Sequence, residues 1–405
     1  MRRRLDHAAS GSGAYLLEFL RCLRAAGYRI RIVVAPEAGF GNRPFARIDP
    51  AYLQAVDCID WVGTVRLGSL YLSYSPRVLM RGFSRLLRGL LHALGGQAPS
   101  TASQLGEVPP DREMAQLARA TGRQADILVV CEYSSLAPVL SRVDAHCRAV
   151  LLHDLFSMRA QAFLEAGAAP DHNPMTVEEE VAHLAHADLC IHASHSEMEQ
   201  LHRHLPDAQH IWLKPGLEAP VAAEGVSADP TPRAAFIGVR HGGNRDALEL
   251  LTHRIWPAVR ARLPDARLQI FGEIAQDQPE TPGIELIGPV GDLSAYCGPD
   301  AVGLAPMRIT SGVSIKIATY FQLGMGVLAM PPAIDGFGDL LDGRVELASD
   351  EESYADALAA LLSDAKKRHE LAARGQQVFD GRLSNEPVVA RLRDIADRAA
   401  TAPNR

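Results

Sequence analysis

The feature that most constrains this chain is the alternation of short apolar runs with helix-like segments from one end to the other. The strand-like runs lie at 30–34, 126–130, 149–152, 188–192, 234–237, 267–271, 284–287, 300–304 and 326–330, and helical patterns lie at 15–26, 176–187 and 245–263. Continuous apolar strands that alternate with helices predict parallel sheets covered on both faces. Because 405 residues are many for one core, we expect two α/β domains.

A polar stretch near residue 225 separates the two series. Residues 227–232 read Ser-Ala-Asp-Pro-Thr-Pro, a composition typical of a linker. We therefore predict one domain at 1–225 and a second at 226–405. Two doubly wound domains in series face one another across a cleft at the carboxyl ends of their strands, where such folds bind ligands.

Composition excludes several classes of function. The chain has 41 basic and 48 acidic residues and a net charge of -7, which gives no support to nucleic-acid binding. Its six cysteines form no C-x-x-C pair and mostly lie in apolar runs, which is typical of reduced core cysteines in a cytoplasmic protein. No apolar run approaches the roughly 18 residues that span a bilayer, and no apolar region follows the basic start as in a signal peptide. We expect a cytoplasmic protein.

The segment Gly11, Ser12 and Gly13 has the pattern of a loop between a first strand and a helix. Its glycines would let a ligand approach the backbone closely. A dinucleotide fingerprint is disfavoured, because Leu16 stands where the third glycine belongs and 2–9 is a poor strand. Either the chain begins downstream of its natural first residue or the first strand is degenerate, and we favour the former.

The segment with the clearest chemical signal runs from 301 to 330. A strand is followed by Thr310, Ser311 and Gly312, and then by a helical pattern to 323 that Gly324 closes. A helix that opens on such residues offers free N–H groups and a positive dipole end to phosphate, and Lys316 adds a positive charge one turn later. By shape alone, an ordinary strand-to-helix turn with a capping Ser or Thr would give the same pattern.

Several segments, in order, resemble the GT-B glycosyltransferases of the family 4 type (glycosyl transferases group 1). They are Phe236-Ile237-Gly238-Val239, Asn244 to Leu248, 255–257, 263–266, 268–272, 287–293, 305–317 and 324–329, with 152–159 and 187–194 in the first half. The resemblance covers roughly residues 11–345. It implies a GT-B fold, with the first domain binding the acceptor and the second binding a nucleotide sugar, UDP- or GDP-linked, with no other cofactor and no metal.

The resemblance also implies roles for individual residues of the second domain. The donor site would comprise Gly238, Arg240, Thr310, Ser311, Gly312, Val313, Lys316 and Thr319. Arg240 would pair with the pyrophosphate, unless it is only a surface residue of a Gly-rich loop. Thr319 departs from the family, which usually has a ribose-binding Glu there. Either another acid such as Asp335 or Glu273 replaces it, or the donor differs, or the activity is weak.

Candidate catalytic residues follow two strands of the first domain. His153 and Asp154 come after 150–152, and Glu132 comes after 129–131, so all three should lie at carboxyl strand ends. A histidine there can bind a sugar hydroxyl or act as a base. The alternatives are that His153 caps the next helix and that Glu132 is an exposed loop acid.

Two other patterns invite functional readings. The histidines at 183, 186, 192, 195, 202 and 204 suggest a metal, but no Cys or carboxylate recurs at ligand spacing, so we expect a solvated surface and no metal. Residues 76–94 form a basic amphipathic helix with Arg77, Arg81, Arg85 and Arg88. Such a helix can lie on anionic lipid at the inner face of the membrane, although packing on its own domain with the arginines outward is the simpler alternative.

We therefore predict a glycosyltransferase, of the retaining kind by resemblance, that moves a sugar to a saccharide or lipid-linked saccharide in polysaccharide or glycolipid assembly. Two alternatives stay open. The chain could be a catalytically weak GT-B homologue acting as a partner subunit, which Thr319 motivates, or another GT-B enzyme such as a sugar-nucleotide epimerase or an inverting transferase.

Overall fold

A computed structural model describes residues 1–2, 4–6, 11–40, 43–93, 106–122, 126–215, 233–276, 278–379 and 385–401. The predicted domain boundary at 225 and 226 lies outside these residues. Strands and helices are labelled below in chain order.

The first half of the chain is an α/β domain with parallel strands at its centre. Its helices are α1 (Gly11–Ala25), α2 (Pro50–Ala55), α3 (Pro76–Ala93), α4 (Asp111–Thr121), α5 (Phe156–Glu165), α6 (Val177–Leu184) and α7 (His195–His204). Its strands are β1 (Arg31–Val34), β2 (Phe45–Arg47), β3 (Cys58–Trp61), β4 (Thr64–Leu67), β5 (Leu70–Ser73), β6 (Asp126–Glu132), β7 (Ala145–Leu152), β8 (Leu189–His192) and β9 (Gln209–Trp212).

The parallel strands of this domain form two separate groups among the described residues. β1 pairs with β3, whereas β6, β7, β8 and β9 form a second sheet in that order. Between β1 and β6 lies a cavity of about 160 Å³, lined by apolar side chains of α1 and by both strands. The Met1 amino group donates to the Val33 carbonyl oxygen, and the Ala35 N–H donates to the Met1 carbonyl oxygen, so Met1 lies beside the end of β1.

The second half is a doubly wound domain with one parallel sheet. Its strands are β10 (Arg233–Ile237), β11 (Arg267–Phe271), β12 (Ile284–Gly288), β13 (Ala301–Ala305), β14 (Gly326–Ala329) and β15 (Glu346–Leu347). Their order in the sheet is β12-β11-β10-β13-β14-β15. All neighbours are parallel, and the chain builds the sheet outward from β10 in one direction and then from β13 in the other. Ligand sites of such sheets lie at this reversal, beyond the carboxyl ends of the strands.

The second half has six α-helices among the described residues. They are α8 (Gly242–Leu250), α9 (Trp256–Arg262), α10 (Ile315–Gln322), α11 (Glu351–Ser363), α12 (Ala365–Phe379) and α13 (Glu386–Thr401). The helix predicted at 245–263 is interrupted by a π-helical turn, Leu251–Ile255. α13 returns to the first domain, where Val388, Leu392 and Ile395 join the core built on α1. The predicted fold, two doubly wound domains in a GT-B arrangement, is confirmed.

Two local predictions were wrong. Gly11, Ser12 and Gly13 form the first turn of α1 rather than a loop ahead of it, and no strand precedes them among residues 1–2 and 4–6. Thr310, Ser311 and Gly312 do not open a helix, since α10 begins only at Ile315. Residues 310–314, here called the donor loop, connect β13 to α10 by an irregular path whose contacts are described next.

Candidate active site

The carboxyl ends of β6 and β7 bring Glu132 and His153 together. His153 Nε2 lies 2.8 Å from Glu132 Oε1, and both side chains are buried. The two alternatives are therefore wrong: Glu132 is 3% exposed and is no loop acid, and the N-cap of α5 is Leu155, not His153. His153 Nδ1 has no hydrogen-bond partner among the described residues, which leaves it able to bind a ligand hydroxyl.

Tyr133 directly follows Glu132 in a strained conformation. With φ of 67° it is the one non-glycine residue of positive φ in the described part of the chain. Such a backbone costs on the order of 1–3 kcal/mol and clusters at functional sites. The Tyr133 ring centroid lies 4.7 Å from that of His153, and Tyr15 approaches the same imidazole edge-on at 6.4 Å. The strain therefore places an aromatic ring against the candidate catalytic histidine.

An ion-pair chain connects the first domain to the second. Arg159 donates to Asp154 Oδ2 at 2.7 Å and to both carboxylate oxygens of Asp171 at 2.8 and 2.9 Å. Asp171 in turn accepts from the N–H of Gly242, at the start of α8. Burial by itself raises the pKa of Asp171, but hydrogen bonds from His172 and Arg159 outweigh it and the pKa is lowered. Asp171 is thus a firm anionic contact to the donor domain.

The donor loop is held against the first domain by two carboxylates. The Ser311 hydroxyl donates to Asp154 Oδ2 at 3.2 Å, and the Gly312 N–H donates to Glu197 Oε1 at 2.6 Å. The other oxygen of Glu197 accepts from the Leu155 N–H at 2.9 Å. Glu197 is 3% exposed, and burial raises the pKa of its carboxyl. The Gly312 N–H, which we expected to face phosphate, is therefore already engaged by an internal acid.

Gly312 has a different role from the one its pattern indicated. Its φ is +67°, and a Cβ at this position would lie 2.3 Å from the His153 carbonyl oxygen. Gly336 also packs against Gly312, because a Cβ on Gly336 would lie 2.3 Å from the Gly312 carbonyl oxygen. A glycine is required here because two segments approach the loop backbone too closely for any side chain.

Lys316 is the second residue of α10, close to where the sheet order reverses. Its Nζ donates to Asn244 Oδ1 at 2.7 Å and lies 4.2 Å from the centroid of the Phe236 ring. The residue as a whole is half-buried, but the ammonium group itself is enclosed, and burial lowers its pKa to about 7. An anion bound beside Nζ would favour the charged form and raise this pKa again.

The remaining predicted donor residues lie at the edges of the same region. Gly238 follows β10, and a Cβ there would lie 3.2 Å from side-chain atoms of Asn244, Ile274 and Phe236, so these would have to shift to accept a side chain. Arg240 is exposed and donates to the Glu273 carbonyl oxygen and to the Gln276 side chain, both at 3.0 Å. Its guanidinium thus faces the turn after β11. Val313 is half-buried and packs against the cores of both domains.

Thr319 directs its hydroxyl to its own helix. Oγ1 donates to the Ile315 carbonyl oxygen at 3.2 Å, a local bond that competes with ligand contacts. Of the two acids considered as replacements, Asp335 directly precedes Gly336 and so lies beside the donor loop, and burial raises its pKa. Glu273 lies in a short 3-10 helix after β11, where its carbonyl oxygen already accepts from Arg240.

The start of α1 also reaches this region. A Cβ on Gly11 would lie 3.8 Å from Ile315 Cδ1, and Tyr15 donates to the Ala193 carbonyl oxygen. His153, Asp154 and Gly11 of the first domain therefore lie against the donor loop and the start of α10, whereas the Arg240 side chain contacts the turn after β11. Sequence reasoning missed Glu197, Tyr133 and Asn244. Their assignment to a functional site remains a prediction that binding and activity measurements must test.

Comparisons with known proteins agree with this architecture. Residues 231–364 match the family model described as glycosyl transferases group 1. No curated protein sequence matches the chain. Sucrose-phosphate synthase from Thermosynechococcus elongatus has 16% sequence identity and a TM-score of 0.60, with 98% of this chain and 95% of that chain covered.

Two further solved structures cover nearly the whole chain. HepE from Anabaena, solved in complex with UDP and glucose, has 12% identity and a TM-score of 0.55 over 95% of this chain and 96% of its own. An α,α-trehalose-phosphate synthase (UDP-forming) from Burkholderia vietnamiensis has 14% identity and a TM-score of 0.54, over 93% and 100%. At such identities the structures show the fold alone. The chain therefore has the GT-B fold, and its residues 231–364 are similar to the glycosyl transferases group 1 family.

Proposed function

We propose that this protein transfers a glycosyl group from a nucleoside-diphosphate sugar to a hydroxyl group of a saccharide or lipid-linked saccharide. The observation that carries the proposal is the contact of the donor loop, which leads into Lys316, with Asp154 and with the peptide of His153, whose side chain pairs with Glu132. Lys316 supplies a cation for a departing diphosphate, and the His153–Glu132 pair supplies groups for sugar hydroxyls. HepE, which shares the fold, was solved in complex with UDP and glucose, and this supports a nucleoside-diphosphate sugar as the donor.

The chemistry follows from where charge develops. Cleavage of the bond between the sugar and the diphosphate leaves positive charge on the sugar and negative charge on the leaving oxygen. Lys316 stabilises that negative charge in a site of low dielectric. His153 and Asp154 each have one buried atom without a hydrogen-bond partner among the described residues, Nδ1 and Oδ1. These atoms bind and orient hydroxyl groups of the transferred sugar or the acceptor, and the anomeric configuration is retained.

Exchange of Lys316 for methionine tests the donor site. Methionine keeps the apolar packing on Phe236 but removes the charge, so we expect UDP or GDP binding to weaken by about tenfold or more, as for loss of a charge-assisted contact. Calorimetry with UDP, GDP and ADP measures it. Lys366→Met, at an exposed position of α12, is the matched control. Absence of any nucleotide binding by the unaltered chain, or unchanged binding in Lys316→Met, would contradict the proposal.

The pH dependence of the same binding gives a second prediction. The pKa of Lys316 is about 7 in the free protein, and a bound diphosphate raises it. Binding therefore takes up a proton above pH 7, and affinity should fall as pH rises from 7 to 9, by up to about tenfold per unit. Lys316→Met removes this component, so its affinity should change less over that range. Identical pH profiles for the two proteins would show that Lys316 does not meet the nucleotide.

A catalytically weak partner subunit is the second candidate, and two contacts favour it. The Thr319 hydroxyl is bonded to its own helix, and the Gly312 N–H is bonded to Glu197. Both groups would need new partners to hold a nucleotide. Incubation with labelled UDP- and GDP-sugars, with and without saccharide acceptors, separates the candidates, since a partner subunit neither hydrolyses nor transfers the donor. Release of an epimerised sugar would instead favour a sugar-nucleotide epimerase.

We further propose that α3 contacts anionic lipid, which would bring a lipid-linked acceptor to the site. Among the α3 side chains that the structure describes, Val78 is buried, and Gly82 lies against Pro44. Leu79, Met80 and Phe83 are exposed, Phe83 at 69%. Arg81 and Arg77 lie on the same helix near Glu37, at 2.8 and 3.9 Å. No helix among the described residues has the length and hydropathy to cross a bilayer. An exposed apolar face beside arginines is typical of helices that lie in the membrane interface.

Vesicle binding tests this surface. The triple variant Leu79→Ser, Met80→Ser and Phe83→Ser removes the exposed apolar face, so we expect binding to phosphatidylglycerol-containing vesicles to fall by about tenfold or more. Leu164→Ser, at another exposed leucine on α5, is the control and should bind as the unaltered chain does. Sedimentation with vesicles measures it. Failure of the unaltered chain to bind such vesicles would refute the lipid contact without touching the transferase proposal.

A further inference from the structure

A cluster of nitrogen and sulfur ligands lies in the first domain, away from the candidate active site. These residues have no metal-ligand spacing along the chain, but parallel pairing of β8 with β9 places His210 directly beside Cys190. His192 lies two residues further along β8 and so on the same face of the sheet. One ligand atom from each of Cys190, His192 and His210 lies within 4.8 Å of the other two.

The hydrogen bonds of this cluster already orient its imidazoles. His210 Nε2 lies 2.9 Å from the Leu205 carbonyl oxygen and must carry a proton to donate to it, so the lone pair of His210 lies on Nδ1. That Nδ1 lies 2.9 Å from His192 Nε2. A backbone carbonyl that fixes the tautomer of an imidazole is the usual outer partner of a metal-binding histidine. His192 is 1% exposed, and its Nδ1 has no hydrogen-bond partner among the described residues.

The three ligand side chains are enclosed on the sheet side and adjoin a recess at His210. Burial lowers the pKa of both His192 and His210, which keeps the rings neutral. Burial also raises the pKa of the Cys190 thiol to about 12, so the thiol is protonated until a cation displaces its proton. Next to His210 a recess opens to solvent, lined in part by Met198, Glu199 and His202. The His202 ring centroid lies 5.0 Å from that of His210, so the open side offers a further ligand or water.

We propose that Cys190, His192 and His210 bind a divalent ion of the zinc class, with the fourth position open to the recess. One thiolate and two imidazoles are a ligand set that suits Zn²⁺ and that Mg²⁺ and Ca²⁺ avoid. Binding releases one proton, from the Cys190 thiol to solvent, and forms one metal–sulfur and two metal–nitrogen bonds. The ion would join β8 to β9 beneath α7, the helix that carries Glu197 to the donor loop. It would therefore hold an element of the active site in place without touching substrate.

Cobalt spectroscopy tests the site on the full chain, purified without a histidine tag and treated with a chelator. Titration with Co²⁺ should give a thiolate-to-cobalt charge-transfer band that saturates at one ion per chain, and Zn²⁺ should displace it. Cys190→Ser should abolish the band, and His210→Ala should weaken Zn²⁺ binding by about 100-fold or more. Cys297→Ser, at a buried cysteine of the second domain, and His204→Ala, at a surface histidine, should bind as the unaltered chain does.

The outcomes distinguish binding at Cys190, His192 and His210 from weak binding to surface histidines. Absence of the charge-transfer band from the unaltered chain, or its presence in Cys190→Ser, would overturn the proposal. Far-ultraviolet circular dichroism shows whether each protein is folded. The unaltered chain carries the test by itself if the variants do not fold. Because the readout is a metal spectrum, it is independent of whether the protein transfers sugar.

Discussion

Replacement of Gly312 by alanine should lower transferase activity by at least about 100-fold and destabilise the protein by roughly 3 kcal/mol or more. The added Cβ would lie 2.3 Å from the His153 carbonyl oxygen, and both atoms belong to backbone segments that cannot rotate away. Relief of that overlap moves the donor loop away from the peptide that carries the candidate catalytic histidine. A displacement of about 1 Å in such a geometry is enough for the predicted loss of rate.

Gly324→Ala separates the effect of the contact from that of the backbone. Gly324 has nearly the same φ, +69°, but a Cβ there would meet nothing within 4 Å. The free energy of unfolding of Gly324→Ala should fall by about 1–2 kcal/mol, the cost of an alanine in a left-handed conformation, and its transferase activity should be unchanged. Urea unfolding and donor turnover, measured at a temperature where both variants are folded, give the comparison. Equal losses in the two variants would mean that the domains do not meet at Gly312.

The sequence was sufficient to predict the parallel sheets and the ends of their strands. Strands buried on both faces are continuous apolar runs, so their positions can be read locally, and the residues that follow them must lie at the carboxyl edge. Glu132 and His153 were placed in this way, and the structure brings them to 2.8 Å from one another. That they form a pair, and that the pair is buried, depended on the order of β6 and β7 in the sheet, which the local pattern does not give.

The roles of Glu197 and Gly312 could not be predicted, because each residue fits an ordinary local pattern. Glu197 lies three residues after Ser194, and Ser194 accepts from its N–H, so the pattern resembles an ordinary helix cap. Its carboxylate nevertheless reaches a loop 115 residues away in sequence. Gly312 likewise looked like a helix-opening residue, although the cause is a backbone contact from the other domain. Contacts between distant segments leave no local period, which is why local patterns predicted the fold better than the site.

A short apolar strand fused ahead of Met1 should stabilise the protein. Met1 accepts from the Ala35 N–H and donates to the Val33 carbonyl oxygen, which is the parallel ladder position opposite Val34. Residues added before Met1 would continue along β1 into the cavity of about 160 Å³ between β1 and β6. They would also convert the Met1 ammonium group into an amide N–H. Burial lowers the pKa of that ammonium group, whereas an amide N–H is neutral and pairs well within a buried β-ladder.

The expected gain follows from the size of the cavity. At about 24 cal/mol per Å³, a filled cavity of this volume recovers on the order of 4 kcal/mol, and the ordering of the added residues offsets part of it. We expect a net gain of about 2–3 kcal/mol and a Tm higher by roughly 5–10 °C for a five-residue extension rich in Val and Ile. An extension of equal length built from Gly and Ser is the control and should leave Tm unchanged. Since only a strand that pairs with both edges can fill the space, a proline at the centre of the apolar extension should abolish most of the gain. Equal melting temperatures for the apolar and the Gly-Ser extensions would show that the gap between β1 and β6 does not accept a strand.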